Sequence, residues 1–508
     1  MTALLYDVRD AIRTTLKGPA FAALVIGVLG AGLACVIFMV TLLDGFILRP
    51  LPFANPDQLM QAGFYGDGGL GDIFPVDSRD LAQIRRYVAP KAEAAAVARS
   101  TINLSDIDRP ERYHGGHVTA NLFRVLGVAP ELGRDFSDDD AKPGAAPVAM
   151  LSHSLWQSRY GGDRSIVGRT IRVDGRPTTV IGVMPEGFSY PRNEDLWVPS
   201  AIVDGLPVDP YAYWVIARSR ADAGKADVAN AFDTWFADAA RADPERFRGR
   251  SFRVEPLARM AADRTTRDTL GSMLAAVVMV LLISCANAAN LLLTRTLGRS
   301  HDLAVRVALG ASRARLIVRT LLESLLLTSL AVALALALAR LGVAWQRGVM
   351  RATEFFPLWL RFDLDARVIL LAFVAASFTA IAAGLLPALR AGRMAVGGDL
   401  REGARNVAGG SFARTSQVLV VGEIALSCAL LICVGTLVRG IGALDRSDLG
   451  LNPAHLLTAR VALSTAVHPA ATDRVQVFER MAARLREDPE VADASLGTAL
   501  PGTFYNGF

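Results

Sequence analysis

The chain has 508 residues, of which 52% are hydrophobic and only 20% charged, with a formal net charge of +5. That length would ordinarily divide into about three domains, but so large an apolar share argues against an ordinary water-soluble protein and points to the membrane. The net charge is small for the length, so where the basic residues fall matters more than their sum.

Five stretches are long enough to cross a hydrocarbon core of roughly 30 Å at about 1.5 Å per helical residue. The first, PAFAALVIGVLGAGLACVIFMVTLL, occupies residues 19–43 and follows Arg9, Arg13 and Lys17. A signal peptide carries an apolar run of about 7–15 residues and a small-x-small cleavage site. This run is longer and no such site follows, so it reads as a retained anchor.

Residues 44–268 read as a mixed α/β domain, large enough to bury a core of its own. RTIRVDGRPTTVIGVMP alternates apolar and polar residues around Asp174-Gly175, a hairpin signal. VAMLSHSLWQSRYGG predicts a strand running into a short helix stopped by Gly161-Gly162. KADVANAFDTWFADAARADPE places Val228, Phe232, Trp235, Phe236 and Ala239 on one helical face, and the strand-like FRVEPL follows.

Four further apolar runs occupy residues 270–294, about 316–343, 368–389 and 416–438. Lys and Arg counts set the orientation. Residues 295–315 carry Arg295, Arg299, Arg306, Arg313 and Arg315 against Asp302; residues 390–415 carry Arg390, Arg393, Arg401, Arg405 and Arg414 against Asp399 and Glu402. Arg347, Arg351 and Arg361 are balanced by Glu354, Asp363 and Asp365. The N-terminus and both basic loops are therefore expected in the cytoplasm, with residues 44–268 and the stretch from Arg439 outside. Positive-inside topology accounts for the basic loops without nucleic acid. Cys35, Cys285, Cys428 and Cys433 all fall inside the apolar runs, without a Cys-x-x-Cys pair, and read as small apolar residues.

An internal repeat follows the first and fifth runs: Asn55-Pro56-x-x-Leu59 recurs as Asn452-Pro453-x-x-Leu456. One unit would then be a span, an outer domain and three spans, so the two copies run parallel. The second copy, with a helix TDRVQVFERMAARLRED and a strand-like VADASLGTAL, stops at Phe508 and is much shorter than the first. The chain reads as a fragment or shortened version of a longer permease.

Candidate chemistry is sparse. No Gly-x4-Gly-Lys-Ser/Thr phosphate loop occurs, so ATP would have to be bound elsewhere. His114-Gly-Gly-His117 lacks a third ligand and reads as a surface loop. Ser152-His153-Ser154 has no Gly-x-Ser-x-Gly elbow, and SDDDAKPG reads as a solvated turn. Inside the spans, Ser284, Asn287 and Asn290 share one helical face, while Glu323 and Glu423 lie toward the cytoplasmic ends. Such groups face partners or water, either as interhelical hydrogen bonding or as coupling elements.

Residues 301–324, HDLAVRVALGASRARLIVRTLLES, are basic and amphipathic. Leu303, Val307 and Ala308 share a face beside Val305 and Leu309, Gly310 can end the helix, and Ser312 can cap the next. Two readings stand: a helix resting on anionic lipid, or a coupling helix seated on a partner. The second rests on Leu303, Val305, Arg306, Leu309, Gly310, Ala311, Ser312 and Arg313.

LRPLPFANPDQLM, TANLFRVLGVAPELGRDFS, PVAMLSHSLWQSRYGGDRSIVGRTIRVDGRPTTVIGVMPEGF, DLWVPS, CANAANLLLTRTLGRSHDLAVRVALGASRARLIVRTLLES, LPALRAGR with LREGAR, and GLNPAHLLTARVAL together carry a family resemblance. The chain resembles ABC-transporter permeases of the FtsX and macrolide-exporter (MacB) type, and most nearly the duplicated single-chain ADOP subgroup. Where such proteins commonly have Asn and Thr in the first span, this chain has Ala34 and Cys35. The resemblance implies an α-helical integral membrane protein of five spans with an inserted periplasmic α/β core domain. It also implies a bacterial inner-membrane location and a cytoplasmic ATPase dimer docked on the loop between spans two and three, with no catalysis and no cofactor in the chain itself. A second permease copy or a periplasmic partner would complete the assembly. Export of a substrate is the function implied; the alternative is transmembrane signalling to a periplasmic partner such as a cell-wall hydrolase. An ion-coupled transporter fits poorly, since inverted repeats and midplane charges are not evident.

Overall fold

A computed structural model describes residues 15–65, 73–107, 110–202, 211–260, 264–298, 313–353, 362–394, 404–445, 456–459 and 470–497, with Arg9, Ile12, Arg13, Val461 and Leu463. The chain divides into two compact units. One holds residues 1–48, 266–352 and 362–447; the other holds 49–265, 353–361 and 448–508.

In the α/β unit the described elements are β1 (Leu59–Tyr65), β2 (Ile73–Phe74), α2 (Ser78–Val88), β3 (Ala92–Leu104), β4 (Glu111–Val118), α3 (Leu122–Leu126), β5 (Leu132–Gly133) and β6 (Val148–Leu151). They continue with α4 (His153–Tyr160), β7 (Thr170–Val173), β8 (Arg176–Val183), β9 (Leu196–Pro199), β10 (Trp214–Ser219), α5 (Lys225–Ala242) and β11 (Ser251–Pro256). The strands form one sheet in the order β11-β1-β10-β3-β4-β9-β6-β8-β5, with β2 on β1 and β7 on β3 and β8. Pairing is antiparallel except β4 with β9 and β6 with β8.

Period-2 alternation explains how one strand serves two cores. Ala94, Ala96 and Ala98 of β3 join a cluster with Leu81, Ile84, Phe232 and Trp235 from α2 and α5. Ala95 and Val97 join the other cluster, with Phe123 and Leu126 of α3 and Trp197 of β9. The small β3 side chains give the helices room to approach. A third cluster, beyond Ile102 and Leu104, packs Leu155 and Trp156 of α4 on Ile171, Val180 and Leu196.

Local signals behave as their chemistry dictates. Val173 pairs with Arg176 across Asp174-Gly175, whose φ angles of 49° and 81° fit a two-residue turn with both residues left-handed. Ser152 caps α4 by accepting from the Leu155 N–H at 3.1 Å, and Gly161 ends it with φ 63°. Val228, Phe232 and Trp235 are the buried residues of α5, with Phe236 and Ala239 packed partly against the same core. His114-Gly-Gly-His117, expected in a loop, lies instead in β4. Its glycines admit close packing: a Cβ on Gly115 would collide with Ile102, and one on Gly116 would stand 2.7 Å from the Trp197 indole. The described part of VADASLGTAL forms no strand; α10 (Ala471–Arg486), before it, is a helix. An extended segment becomes a strand only where a neighbour completes its ladder.

The helical unit comprises α1 (Pro19–Leu43), α6 (Arg264–Gly298), α7 (Arg313–Thr353), α8 (Ala366–Met394) and α9 (Ala404–Asp445). Among the described residues four helices are long and apolar enough to cross a membrane, and α8 contributes a shorter apolar run over Ala366–Ile381. The helices continue past the apolar runs, so Arg295, counted above as a loop residue, belongs to α6. α1 is central: Leu33 and Ile37 pack with Leu281, Ala335, Ala339 and Ala372, and Val25 and Leu29 with Ala288, Leu292 and Leu327. Small residues bring the helices together. A Cβ on Gly30 would lie 3.2 Å from the Ala331 carbonyl oxygen of α7, and one on Gly32 would lie 2.7 Å from Ser284 Oγ of α6.

Candidate functional site

The polar residues singled out in the spans are partly gathered. Ser284 is buried, donates to the Val280 carbonyl at 2.9 Å and abuts Gly32 of α1. Asn287 and Asn290 are half-buried on α6, and Thr294 Oγ1 donates to the Asn290 carbonyl at 2.9 Å. Glu323 of α7 meets Arg295 of α6, Nη1 to Oε1 3.4 Å, with both side chains about 15% exposed. The Arg295 guanidinium also lies 4.4 Å from the centroid of Phe21 on α1. A charged residue in apolar surroundings needs a partner of this kind. Beside this pair, α1 with the two residues before it and α6 border an open groove of about 410 Å³, lined by Lys17, Gly18, Phe21, Leu291, Thr294 and Arg295. Glu423 stays apart from this group, on α9, none of whose described residues is buried.

In the α/β unit the segment leaving α1 is fastened by a residue that sequence reasoning passed over. Arg218 of β10 donates from Nε to the Val125 carbonyl at 2.6 Å and from Nη2 to the Ala54 carbonyl at 2.6 Å. Its Nη1 donates to the Asn55 carbonyl and to Gln58 Oε1, each at 3.3 Å. Burial pulls this guanidinium below the usual arginine value, with Glu93 opposing. Asn55 sits in the left-handed region at φ 44° and Pro56 starts a short 3-10 turn, which explains the Asn-Pro pair of the repeat motif. Gly127, at φ 70°, closes the joint: a Cβ there would come 2.5 Å from Ala54 Cβ. The available signal was a lone arginine in the otherwise apolar strand WVIARS. The repeat's second copy, Asn452-Pro453, lies outside the described residues.

The other candidates resolve into structural roles. Ser152 is a helix cap, Ser154 Oγ lies 3.0 Å from its hydroxyl, and His153 packs edge-on to Trp156. SDDDAKPG forms a capped 3-10 turn, in which Arg134 holds Asp140 at 2.6 Å and pulls its pKa down to about 2. His117 stacks on Tyr211 at 3.9 Å, and burial pushes its pKa down to about 4. No cluster of metal-ligating residues occurs among the described residues. The four cysteines are free thiols, Cys285 buried and the others exposed on their helices. Leu303, Val305, Arg306, Leu309, Gly310, Ala311 and Ser312 lie outside the described residues; Arg313 begins α7.

The chain thus carries an α/β domain between a first apolar helix and a set of further apolar helices. Residues 22–234 match the MacB-like periplasmic core domain, and residues 274–396 the FtsX-like permease C-terminal domain. The chain is a permease of the FtsX/MacB type. It is 22% identical over 375 residues to the macrolide export ATP-binding/permease protein MacB of Neisseria meningitidis, covering 72% of this chain and 55% of the relative. It is 25% identical over 278 residues to the protein of that name from Burkholderia cenocepacia, covering 54% and 39%. The chain thus spans about half the length of such relatives or less. Among solved structures, the periplasmic region of MacB from Actinobacillus actinomycetemcomitans aligns at 15% identity with a TM-score of 0.33, covering 44% of this chain and 96% of that one.

Proposed function

We propose that this chain is the permease subunit of an ABC-type export system in the bacterial inner membrane. It crosses the membrane five times from a cytoplasmic N-terminus and carries its α/β domain in the periplasm. A separate cytoplasmic ATPase dimer binds the ATP and docks on residues 303–313. Its closure moves the helices, and the outer domain follows to expel a substrate.

The Arg218 joint supports this reading. The chain leaving α1 is held by three hydrogen bonds from Arg218 of β10, at Ala54, Asn55 and Gln58, and the same guanidinium bonds the Val125 carbonyl of α3. The segment that follows α1 in the chain is therefore tied to the sheet at these residues. Such coupling is what a mechanical permease requires, and a passive anchor needs none of it.

Co-expression of the chain with a cognate ATPase tests the reading. Leu309→Asp and Gly310→Pro should leave membrane insertion intact and abolish co-purification of the ATPase; full association in both variants would sink the coupling role. Topology is read separately with a membrane-impermeant maleimide. Lys142→Cys should label from the periplasm and Gly310→Cys only after the inner membrane is opened. Activation of a periplasmic hydrolase without export would establish signalling instead.

A further inference from the structure

We propose that the α1/α6 groove at Lys17 and Arg295 is a binding site for the phosphate headgroup of an anionic lipid. The inference goes beyond the export reading and rests on its topology only in placing these helix ends at the cytoplasmic leaflet.

Three observations meet there. The groove, about 410 Å³ and open on its outer side, is wide enough for a headgroup whose acyl chains leave it. Two cations, Lys17 and Arg295, are among its lining residues, and Arg295 pairs with Glu323 at 3.4 Å. A guanidinium has five donors in a planar fork, so it can serve a carboxylate and a phosphate together. Arg295 is also held in place: its plane sits by Phe21 at 4.4 Å and its side chain is only 14% exposed.

The remaining lining explains why a lipid fits better than a soluble anion. Phe21 and Leu291 are apolar, and Leu24, one turn further along α1, is exposed and extends the apolar surface toward the span. A phosphodiester can meet Lys17 and Arg295 while its acyl chains follow these residues into the bilayer. Basic pockets between spanning helices on the cytoplasmic side recognise anionic headgroups by the same chemistry. A structural Arg295–Glu323 pair would need neither the groove nor Lys17.

Native mass spectrometry of the full chain in detergent tests the proposal, with phosphatidylglycerol, phosphatidylcholine of the same acyl chains, and inorganic phosphate as probes. Wild type should retain phosphatidylglycerol in preference to phosphatidylcholine. Lys17→Gln and Arg295→Gln should each reduce that preference about fivefold, on the usual contribution of one basic side chain near an anionic surface. Arg295→Lys should keep most of it, and Arg347→Gln, whose exposed partner is Asp363, should keep all of it. Because Lys17 is exposed, its variant reports even if Arg295→Gln disturbs helix packing. Equal retention of the two lipids by wild type, or an unchanged preference in Lys17→Gln, would overturn the site. Displacement of phosphatidylglycerol by inorganic phosphate alone would overturn the lipid assignment. Alkaline extraction of membranes checks the topology independently: a chain that extracts as a soluble protein overturns the membrane reading, whereas an inserted chain lacking the preference overturns only the lipid site.

Discussion

The two units of this protein differ in the apolar residues they leave on the outside. In the α/β unit the largest side chains are innermost: Trp197, Trp235, Tyr190, Tyr213, Phe123 and Phe232 are each less than 2% exposed. In the helical unit Leu29, Leu33 and Ile37 are buried against small residues such as Ala288, Ala331 and Ala335, while Leu341, Trp345, Phe373 and Leu431 are each 68–70% exposed. Water drives the first arrangement, since each large apolar group removed from it contributes about 1.5–3 kcal/mol. Lipid offers the helices no such gain, so their association depends on close backbone packing at small residues. Identical exposure therefore means different things in the two units, and substitutions can test the contrast.

The largest effect is expected at the centre of the domain. Trp197→Ala removes an indole that donates to the Tyr190 carbonyl at 2.9 Å and meets Phe123 edge-on at 5.6 Å. It should destabilise the domain by about 3–5 kcal/mol in denaturant unfolding of a fragment covering residues 49–265. A loss below about 1 kcal/mol would mean the core can collapse around the gap, and the contrast between the units would be overstated.

Next comes a charge placed on equally apolar surfaces. Phe373→Asp, in the apolar run of α8, should oppose membrane insertion by about 2.5–3.5 kcal/mol and lower the inserted fraction. Ile107→Asp, on the exposed surface of the domain at 42% exposure, should leave the domain's melting temperature nearly unchanged. Equal tolerance at both positions would show that α8 does not face lipid.

Over-packing should have a smaller effect. Gly116→Ala drives a methyl group to 2.7 Å from the Trp197 indole and should destabilise the domain by about 1–3 kcal/mol. Gly144→Ala is the control for backbone strain alone, since its φ is 82° and a Cβ there meets nothing within 4 Å.

The smallest effect expected is in pH dependence, where Asp80 and His117 oppose each other. Burial, with Asp77 beside it, pushes the Asp80 pKa up to about 6 despite Arg246 at 2.7 Å. Folded Asp80 therefore holds a proton that the unfolded chain releases near pH 4, and its contribution to stability falls as pH rises from about 4 to 6. His117, pushed down to about 4, stays neutral while the unfolded chain protonates, so its contribution falls as pH drops from about 6.5 to 4. Asp80→Asn should make domain stability rise more steeply with pH across this window, and His117→Asn should flatten or reverse the rise. Melting curves between pH 4 and 6.5 distinguish the two, and unchanged slopes in both variants would contradict these environments.

Much of this was legible in the residues because the signals are local. Asp174-Gly175 demands a left-handed pair, Ser152 and Gly161 bracket α4, and the spacing of Val228, Phe232 and Trp235 gives α5 its buried face. The apolar runs announced the helices because about twenty apolar residues have few other uses. The candidate site was less legible. Glu323 was visible as a charge needing a partner, but Arg295 was counted with a basic loop, since nothing local says that α6 continues to Gly298. Arg218 was silent because its partners, Ala54, Asn55, Gln58 and Val125, are more than ninety residues away.

The sequence by itself determined the hairpin at Asp174-Gly175, the helix α4 between Ser152 and Gly161, the buried face of α5 and the apolar runs long enough to cross a membrane, because these follow from local turn chemistry, period, length and composition. The tertiary structure alone decided that β10 lies between β1 and β3, and that β4 pairs in parallel with β9. It also decided that His114-Gly-Gly-His117 is a strand. A strand's neighbours are chosen by which side chains fit across the sheet, and the glycines of β4 take their meaning only from Ile102 and Trp197 standing over them.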